Sequence, residues 1–382
     1  MINHIYKHFL KFYIQAKFKN DIQSLIPLER MYSRLVSHQK KMPDLLGLGI
    51  KTISFIYLTS FYLKKIFYSN FSFINAINQT RTSKIILFRN LIRFHDSLFE
   101  VANVDEHNIQ NKLQSHFINK TNLYDFIVVG SGPGGAISAK FIQDSKFNSC
   151  IIEKGNISNN DLNEFSYNQM LSQYNYGGIT TTLGDANIAY TEGSAFGGGS
   201  EINSGLYHRT PESILKIWQE SFDLKSTLTK DLIEHFESIE KKLCVSYFPE
   251  KFIPKASLKL KKGSEILGLD VREIPRWYKY KDTNSTDGIK MTMSKTYLMD
   301  YKNNGGKIFQ NTKVKKILKV NQNWELMIET NGNNQVVRSK NIILSAGAIG
   351  TPQILMKSRL SKKAGNCIQM HPTIKVVALF DE

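Results

Sequence analysis

Cysteine is scarce in this chain of 382 residues, with Cys150, Cys244 and Cys367 its only three. They are widely scattered and show neither a disulfide framework nor the spacing of a CxxC metal pair, so no structural metal is expected. Long apolar runs are also lacking. The run from Thr52 to Leu63 sits between Lys51 and Lys64-Lys65, well short of the roughly 20 residues that crossing a bilayer requires. Met1 to Leu10 has neither a sustained apolar core nor a small-residue cleavage site, which argues against a secretory signal and for a cytoplasmic chain. Acidic residues are outnumbered 33 to 50 by Lys and Arg, leaving a net charge of +17. The first 120 residues hold 17 Lys and Arg against 7 Asp and Glu, a surplus of 10. These cations are spread out and have no recognition motif beside them, so nucleic acid is not an expected partner. With 41% hydrophobic and 22% charged residues, the composition is that of a folded chain long enough for two domains.

Glycine, by contrast, is concentrated in three segments. Gly130-Ser131-Gly132-Pro133-Gly134-Gly135 follows the apolar run Phe126-Ile127-Val128-Val129 and precedes Ala136 to Ile142. This order reads as strand, tight turn and helix, the phosphate-binding start of a dinucleotide fold. Gly130 permits the turn, Gly132 lets backbone approach a pyrophosphate, and Gly135 allows close helix–strand packing. The helix N-terminus adds unpaired N–H groups and the positive end of its dipole. A second apolar run, Ser149 to Ile152, ends in Glu153, where a carboxylate can accept bonds from an adenosine ribose.

That first segment serves NAD and FAD alike. The second, Gly197-Gly198-Gly199-Ser200-Glu201-Ile202-Asn203, and the third, Ser345-Ala346-Gly347-Ala348-Ile349-Gly350-Thr351-Pro352-Gln353-Ile354-Leu355, separate them. With these two elements in this order, the chain from about Leu123 onward resembles the glucose-methanol-choline family of flavin oxidoreductases. The resemblance implies FAD and an alcohol substrate, with hydride passing from the carbinol carbon to flavin. It also implies an α/β, Rossmann-like FAD-binding domain over 121–382, with an inserted β-meander. A partial substrate domain is then expected at about 211–284 and 361–382. Physically, the second segment offers backbone without bulky side chains to a flat ring or pyrophosphate, and Asn203 adds a donor and an acceptor. Asn203 capping its own backbone is the plainer reading. The third segment ends the run Ile342-Ile343-Leu344, where small Ala346 and Gly347 leave room for cofactor and Pro352 suits the first turn of a helix. The expected cofactor residues are therefore Gly130, Ser131, Gly132, Gly134, Gly135, Glu153, Gly198, Gly199, Ser200, Asn203, Ala346 and Gly347. The resemblance adds the backbone of Val314, beside adenine.

Elsewhere the signals are structural. Ile214, Leu215, Ile217 and Trp218, then Leu232, Ile233, Phe236 and Ile239, have helical spacing that points to core. Runs around Val314 to Val320, Trp324 to Thr330 and Val336 to Ser339, separated by Asn-rich turns, read as an antiparallel meander. Residues 1–120 read as a basic helical extension. It is either a layer packed on the flavin domain or a peripheral contact with an anionic membrane; its interrupted apolar pattern favours the packed layer. The family's proton-abstracting histidine belongs to a C-terminal segment, and the sequence ends at Glu382 in what looks like a first strand of the substrate sheet, so a truncated chain is expected. His371, in a His-Pro pair, and His208, just after the second segment, are the remaining candidates for a base. Arg359 follows Ser358 where the family has glycine. Three rival readings stand: a nicotinamide dehydrogenase, a noncatalytic flavin- or membrane-binding module, and an intact oxidase that uses His371 or His208. The alcohol and the electron acceptor are not specified.

Overall fold

The computed structural model describes residues 123–156, 167–178, 180–182, 188–222 and 227–371, together with Ala378 and scattered positions from Phe9 to His95. Strand β1 (Leu123–Val129), the helix Pro133–Asp144 and strand β2 (Ser149–Ile152) form the expected unit. β1 and β2 pair in parallel from Phe126↔Ser149 to Val129↔Ile152. All four residues of β2 are buried, as a strand covered on both faces requires, and its Cys-Ile-Ile run suits that position. Two-residue pairs β3 (Thr180–Thr181) with β4 (Ala189–Tyr190), and β5 (Val245–Ser246) beside β6 (Arg276–Tyr280) and β7 (Gly288–Lys290), form small separate sheets. With β8 (Lys307–Phe309), β9 (Thr312–Val320), β10 (Asn323–Thr330) and β11 (Asn333–Leu344), the main sheet runs β8-β2-β1-β11-β10-β9.

Alternation along β1 divides the core. Ile127 and Val129 join Cys150, Ile152, Ile317, Leu326, Ile328 and Ile354 in one cluster. Val128 joins Ala136, Ala139, Ile151, Leu298 and Tyr301 in the other. Each fully buried aliphatic side chain contributes roughly 1.5–3 kcal/mol. Burial also pushes the Cys150 thiol up to about 12, the effect outweighing a hydrogen bond from Tyr124.

The meander departs from its expected form in one respect. Val336–Ser339 and Ile342–Leu344 are not two strands but parts of the continuous β11. Its first half pairs antiparallel with β10, and its second half runs parallel to β1, ending at Val129↔Leu344. The reversal between β10 and β11 uses Asn331 and Gly332 at φ 49° and 82°. These are the two left-handed positions of a type I′ turn.

Two other expectations need correction. Pro352 does not open its helix, which runs Gly347–Lys357 and carries the proline internally. The ring deprives the carbonyl four residues earlier of its donor without ending the helix. The helices Glu212–Phe222 and Thr227–Lys242 form, but of the eight apolar positions expected in the core only Leu215 is buried; Ile239 packs half-buried against the second cluster, and Ile217 and Trp218 are exposed. Periodicity marks a face without saying what covers it. Arg359 takes φ 56° and keeps the turn: its N–H donates to Met356 O, and the Leu360 N–H to Leu355 O, both at 3.0 Å. That pair is a Schellman closure with arginine in the position glycine usually fills.

The chain divides into two compact units, Met1–Leu113 with Ile157–Ser194, and Gln114–Asn156 with Ala195–Glu382. In the first, Phe9, Tyr57, Leu58, Ile77 and Ile92 are fully buried, and the Phe9 ring meets those of Tyr57 and His95 edge-on at 6.0 and 4.8 Å. His95 Nδ1 donates to Leu91 O at 2.7 Å. Among the described residues no helix is long and apolar enough to cross a membrane.

Candidate cofactor site

The C-terminal ends of β1, β2 and β11 lie side by side, and all three glycine segments meet there. The Gly130 N–H donates to Ile152 O at 2.9 Å and the Ser345 N–H to Val129 O at 2.8 Å. Gly130 has φ +101°, and a Cβ on it would lie 2.3 Å from Ser345 O, so the first segment rests directly on the third. A Cβ on Gly135 would lie 1.9 Å from Gly130 O. That is the close helix–strand approach the sequence requires. Gly132 is different, since its nearest neighbour would be Gly198 Cα at 3.9 Å. The fold leaves room for a side chain there, so an absence of Cβ serves something other than the protein's own packing. Gly132 also begins the helix Pro133–Asp144 with no side-chain cap, so the first-turn donors and the dipole are left for an anion.

The second segment is held against the first. Gly198 has φ +60°, and a Cβ on it would lie 2.7 Å from Gly132 Cα. Ser131 Oγ accepts the Gly197 N–H at 2.9 Å and donates to Glu153 Oε2 at 2.7 Å. The Ser131 N–H donates to the same carboxylate oxygen at 2.7 Å, and the Gly155 N–H to Glu153 Oε1 at 2.6 Å. Glu153 is thus aimed by three donors, two on Oε2 and one on Oε1, and Oε1 keeps a lone pair for a further hydroxyl. The Thr312 N–H donates to Glu153 O at 2.9 Å, which brings β9 and the backbone of Val314 to the same end of the site. Val314 itself is buried in the core.

The remaining expected residues divide by role. Ser200 is buried, and its hydroxyl is used within the protein, donating to Gly197 O at 2.8 Å and accepting the Met293 N–H at 3.0 Å. It shapes the loop. Asn203 is exposed, and its Oδ1 accepts the Gly205 N–H at 3.1 Å, so the plainer reading describes its acceptor. A Cβ on Gly199 would meet nothing within 4 Å, and one on Gly134 would face the Ser345 side chain at 3.6 Å. The Ala346 N–H donates to Thr351 Oγ1 at 3.1 Å, and Gly347 turns the chain with φ 82°.

Lys290 carries a role that its sequence context does not signal. Its ammonium donates to Glu201 O and Asn203 O, each at 2.8 Å, closing the C-terminal end of the short helix Gly199–Ile202. A lone lysine 87 residues away from Asn203 has no local pattern that announces this task. His208 and His371 are both exposed, and among the described residues neither is bonded to the glycine segments. The neighbours of His208 are engaged: Arg209 makes two bonds to Glu240, at 2.5 and 2.6 Å. Burial first, then the Glu240 carboxylate, pushes the Tyr207 phenol up to about 12.

The fold and these contacts can be set beside known proteins. A family model described as GMC oxidoreductase matches residues 127–373. An uncharacterised GMC-type oxidoreductase of Sinorhizobium fredii is 29% identical over 271 residues, covering 68% of this chain and 54% of its own length. The long-chain-alcohol oxidase FAO4A of Arabidopsis thaliana is 28% identical over 275 residues, covering 68% of this chain and 37% of its own. Among solved structures, an FAD-dependent oxidoreductase from Chaetomium thermophilum aligns with a TM-score of 0.48 and 17% identity, over 62% of this chain and 47% of that one. The chain spans about half, or less, of the length of the curated relatives it matches.

Proposed function

Because the chain belongs to the GMC oxidoreductase family, with FAD as its cofactor, we propose that it is the flavin-binding part of an oxidoreductase acting on the CH–OH group of an alcohol. The observation that carries the reading is the space beside Gly132, bounded by Gly198 Cα and otherwise free of protein within 4 Å, at an uncapped helix start. In this reading the first-turn N–H groups of the helix Pro133–Asp144 hold the pyrophosphate. Glu153, fixed by Ser131 and Gly155, accepts a ribose hydroxyl. The backbone of Val314 lies along adenine, and Gly198, Gly199, Ala346 and Gly347 leave room for the rest of the cofactor. Bound FAD supplies the two-electron acceptor for alcohol oxidation.

Residues 211–284 and 361–382 are proposed as part of the substrate-binding region, of which 223–226, 372–377 and 379–382 lie outside the described residues. Relatives named for long-chain alcohols support an alcohol substrate, and the chain length and the electron acceptor stay outside the proposal. His208 and His371 are exposed, and neither is assigned as the base. The purified chain is expected to carry FAD, released on denaturation, and to show flavin absorption. With no base assigned among the described residues, anaerobic mixing of this segment with primary alcohols should bleach it slowly, since an aimed base typically contributes on the order of 10²–10⁴ in rate. A colourless protein that binds a nicotinamide dinucleotide instead would refute the flavin assignment. Rapid bleaching lost on His371→Ala or His208→Ala would restore one of those histidines as the base.

A further inference from the structure

The helix Lys255–Ile266 buries none of its residues. Nevertheless its surface is not simply polar. Leu260 is 71% exposed and Ile266 76%, and the chain leaving the helix adds Leu267 at 74%. Ala256, Leu260, Gly263 and Leu267 recur at i, i+4, i+7 and i+11, which places them along one side of the helix. Around this stripe stand lysines: residues 251–269 contain five, all exposed, against the single acid Glu265.

We propose that this helix is a docking surface for an anionic lipid bilayer. The Leu260 and Leu267 side chains would enter the boundary between headgroups and acyl chains. Lysines on either side can lay their methylene stems along the stripe and set their ammonium groups at the level of the lipid phosphates. A helix of 12 residues is far too short to span and fits the interfacial orientation. The composition favours lipid over protein. Interfaces between proteins are enriched in aromatic residues and arginine and depleted in lysine, whereas this helix has four lysines, three large aliphatic side chains, and neither Arg nor an aromatic. The surplus of positive charge in the whole chain, +17, adds long-range attraction to a negative surface. Nothing in this inference depends on the flavin assignment.

The test is flotation of the full chain with phosphatidylcholine vesicles, with and without phosphatidylglycerol. Binding is expected only when the anionic lipid is present, and high salt should weaken it. Leu260→Ser with Leu267→Ser should lower binding at least about tenfold, since two apolar side chains no longer leave water. The melting curve should be unchanged, because neither leucine supports the fold. Replacing Lys259, Lys261 and Lys262 with glutamine should lower binding to phosphatidylglycerol vesicles as well, by a route that leaves the apolar stripe intact. Failure of the full chain to bind anionic vesicles would overturn the proposal. So would wild-type binding by both variants, which would assign the attraction to the basic residues before position 120. Lipid-free self-association that the leucine substitutions abolish would also overturn it, in favour of a second copy of the chain.

Discussion

Ser131 donates its hydroxyl proton to Glu153 Oε2 at 2.7 Å while its backbone N–H meets the same oxygen, also at 2.7 Å. Since the hydroxyl simultaneously accepts the Gly197 N–H, one small side chain sets the position of the Glu153 carboxylate and of the second glycine segment. Serine is fully buried here, and water cannot easily replace it.

Ser131→Ala should therefore cost about 2 kcal/mol, because it leaves the Gly197 N–H without its acceptor and Glu153 short of a donor. The thermal midpoint of the flavin-free protein should fall by several degrees, and FAD affinity should fall with it as Glu153 loses its aim. An unchanged midpoint with unchanged affinity would show that the bridge is incidental.

Thiol reactivity should sort the cysteines by burial. The Cys150 thiol, raised to about 12 by desolvation in the sheet, stays protonated up to strongly alkaline pH, and the protonated form is not the nucleophile. Cys367 is exposed. At neutral pH a thiol reagent should label Cys367 quickly and Cys150 only as the protein unfolds, so mass mapping of native protein that finds Cys150 modified first would contradict the buried-strand assignment.

Arg359 offers a stabilising change. A residue with a Cβ in the left-handed region costs roughly 1–2 kcal/mol, and Arg359 at φ 56° is exposed, with its Schellman bonds made by backbone alone. Arg359→Gly should raise stability by about 1 kcal/mol after the greater freedom of the unfolded glycine is counted. Denaturant unfolding reads the difference directly, and a loss of stability would mean that the arginine side chain has a role the geometry does not reveal.

Much of this architecture is legible in local sequence. Phe126–Val129 before a Gly-rich turn, Ala136–Ile142 after it and Ser149–Ile152 beyond are each signalled by neighbours a few residues away. The Asn331-Gly332 reversal is likewise written in two residues. What local sequence does not show depends on distant partners. Lys290 acts on carbonyls that folding brings to it, and the open faces around Trp218 and Leu260 carry apolar patterns whose covering the sequence does not specify. Pro352 differs for another reason: a proline signal marks a helix start only when nothing upstream has already begun the helix, and here Gly347 has. Within the first glycine segment the fingerprint itself anticipates that Gly130 and Gly135 answer to the protein's own backbone while Gly132 answers to space the protein leaves open, and the distances give that division its magnitude.

That division is the central claim, and a matched pair of substitutions tests it most directly. In Gly132→Ala the new Cβ meets no protein atom nearer than Gly198 Cα at 3.9 Å, whereas in Gly135→Ala it would press on Gly130 O at 1.9 Å. Flavin-free Gly132→Ala should melt within about a degree of the parent, since surface-like changes stay near 0.5 kcal/mol, yet bind FAD on the order of 100-fold more weakly. Gly135→Ala should lose stability outright, by several kcal/mol or to the point of not folding. Undiminished FAD binding by Gly132→Ala, measured by titration of the flavin-free protein, would contradict the account.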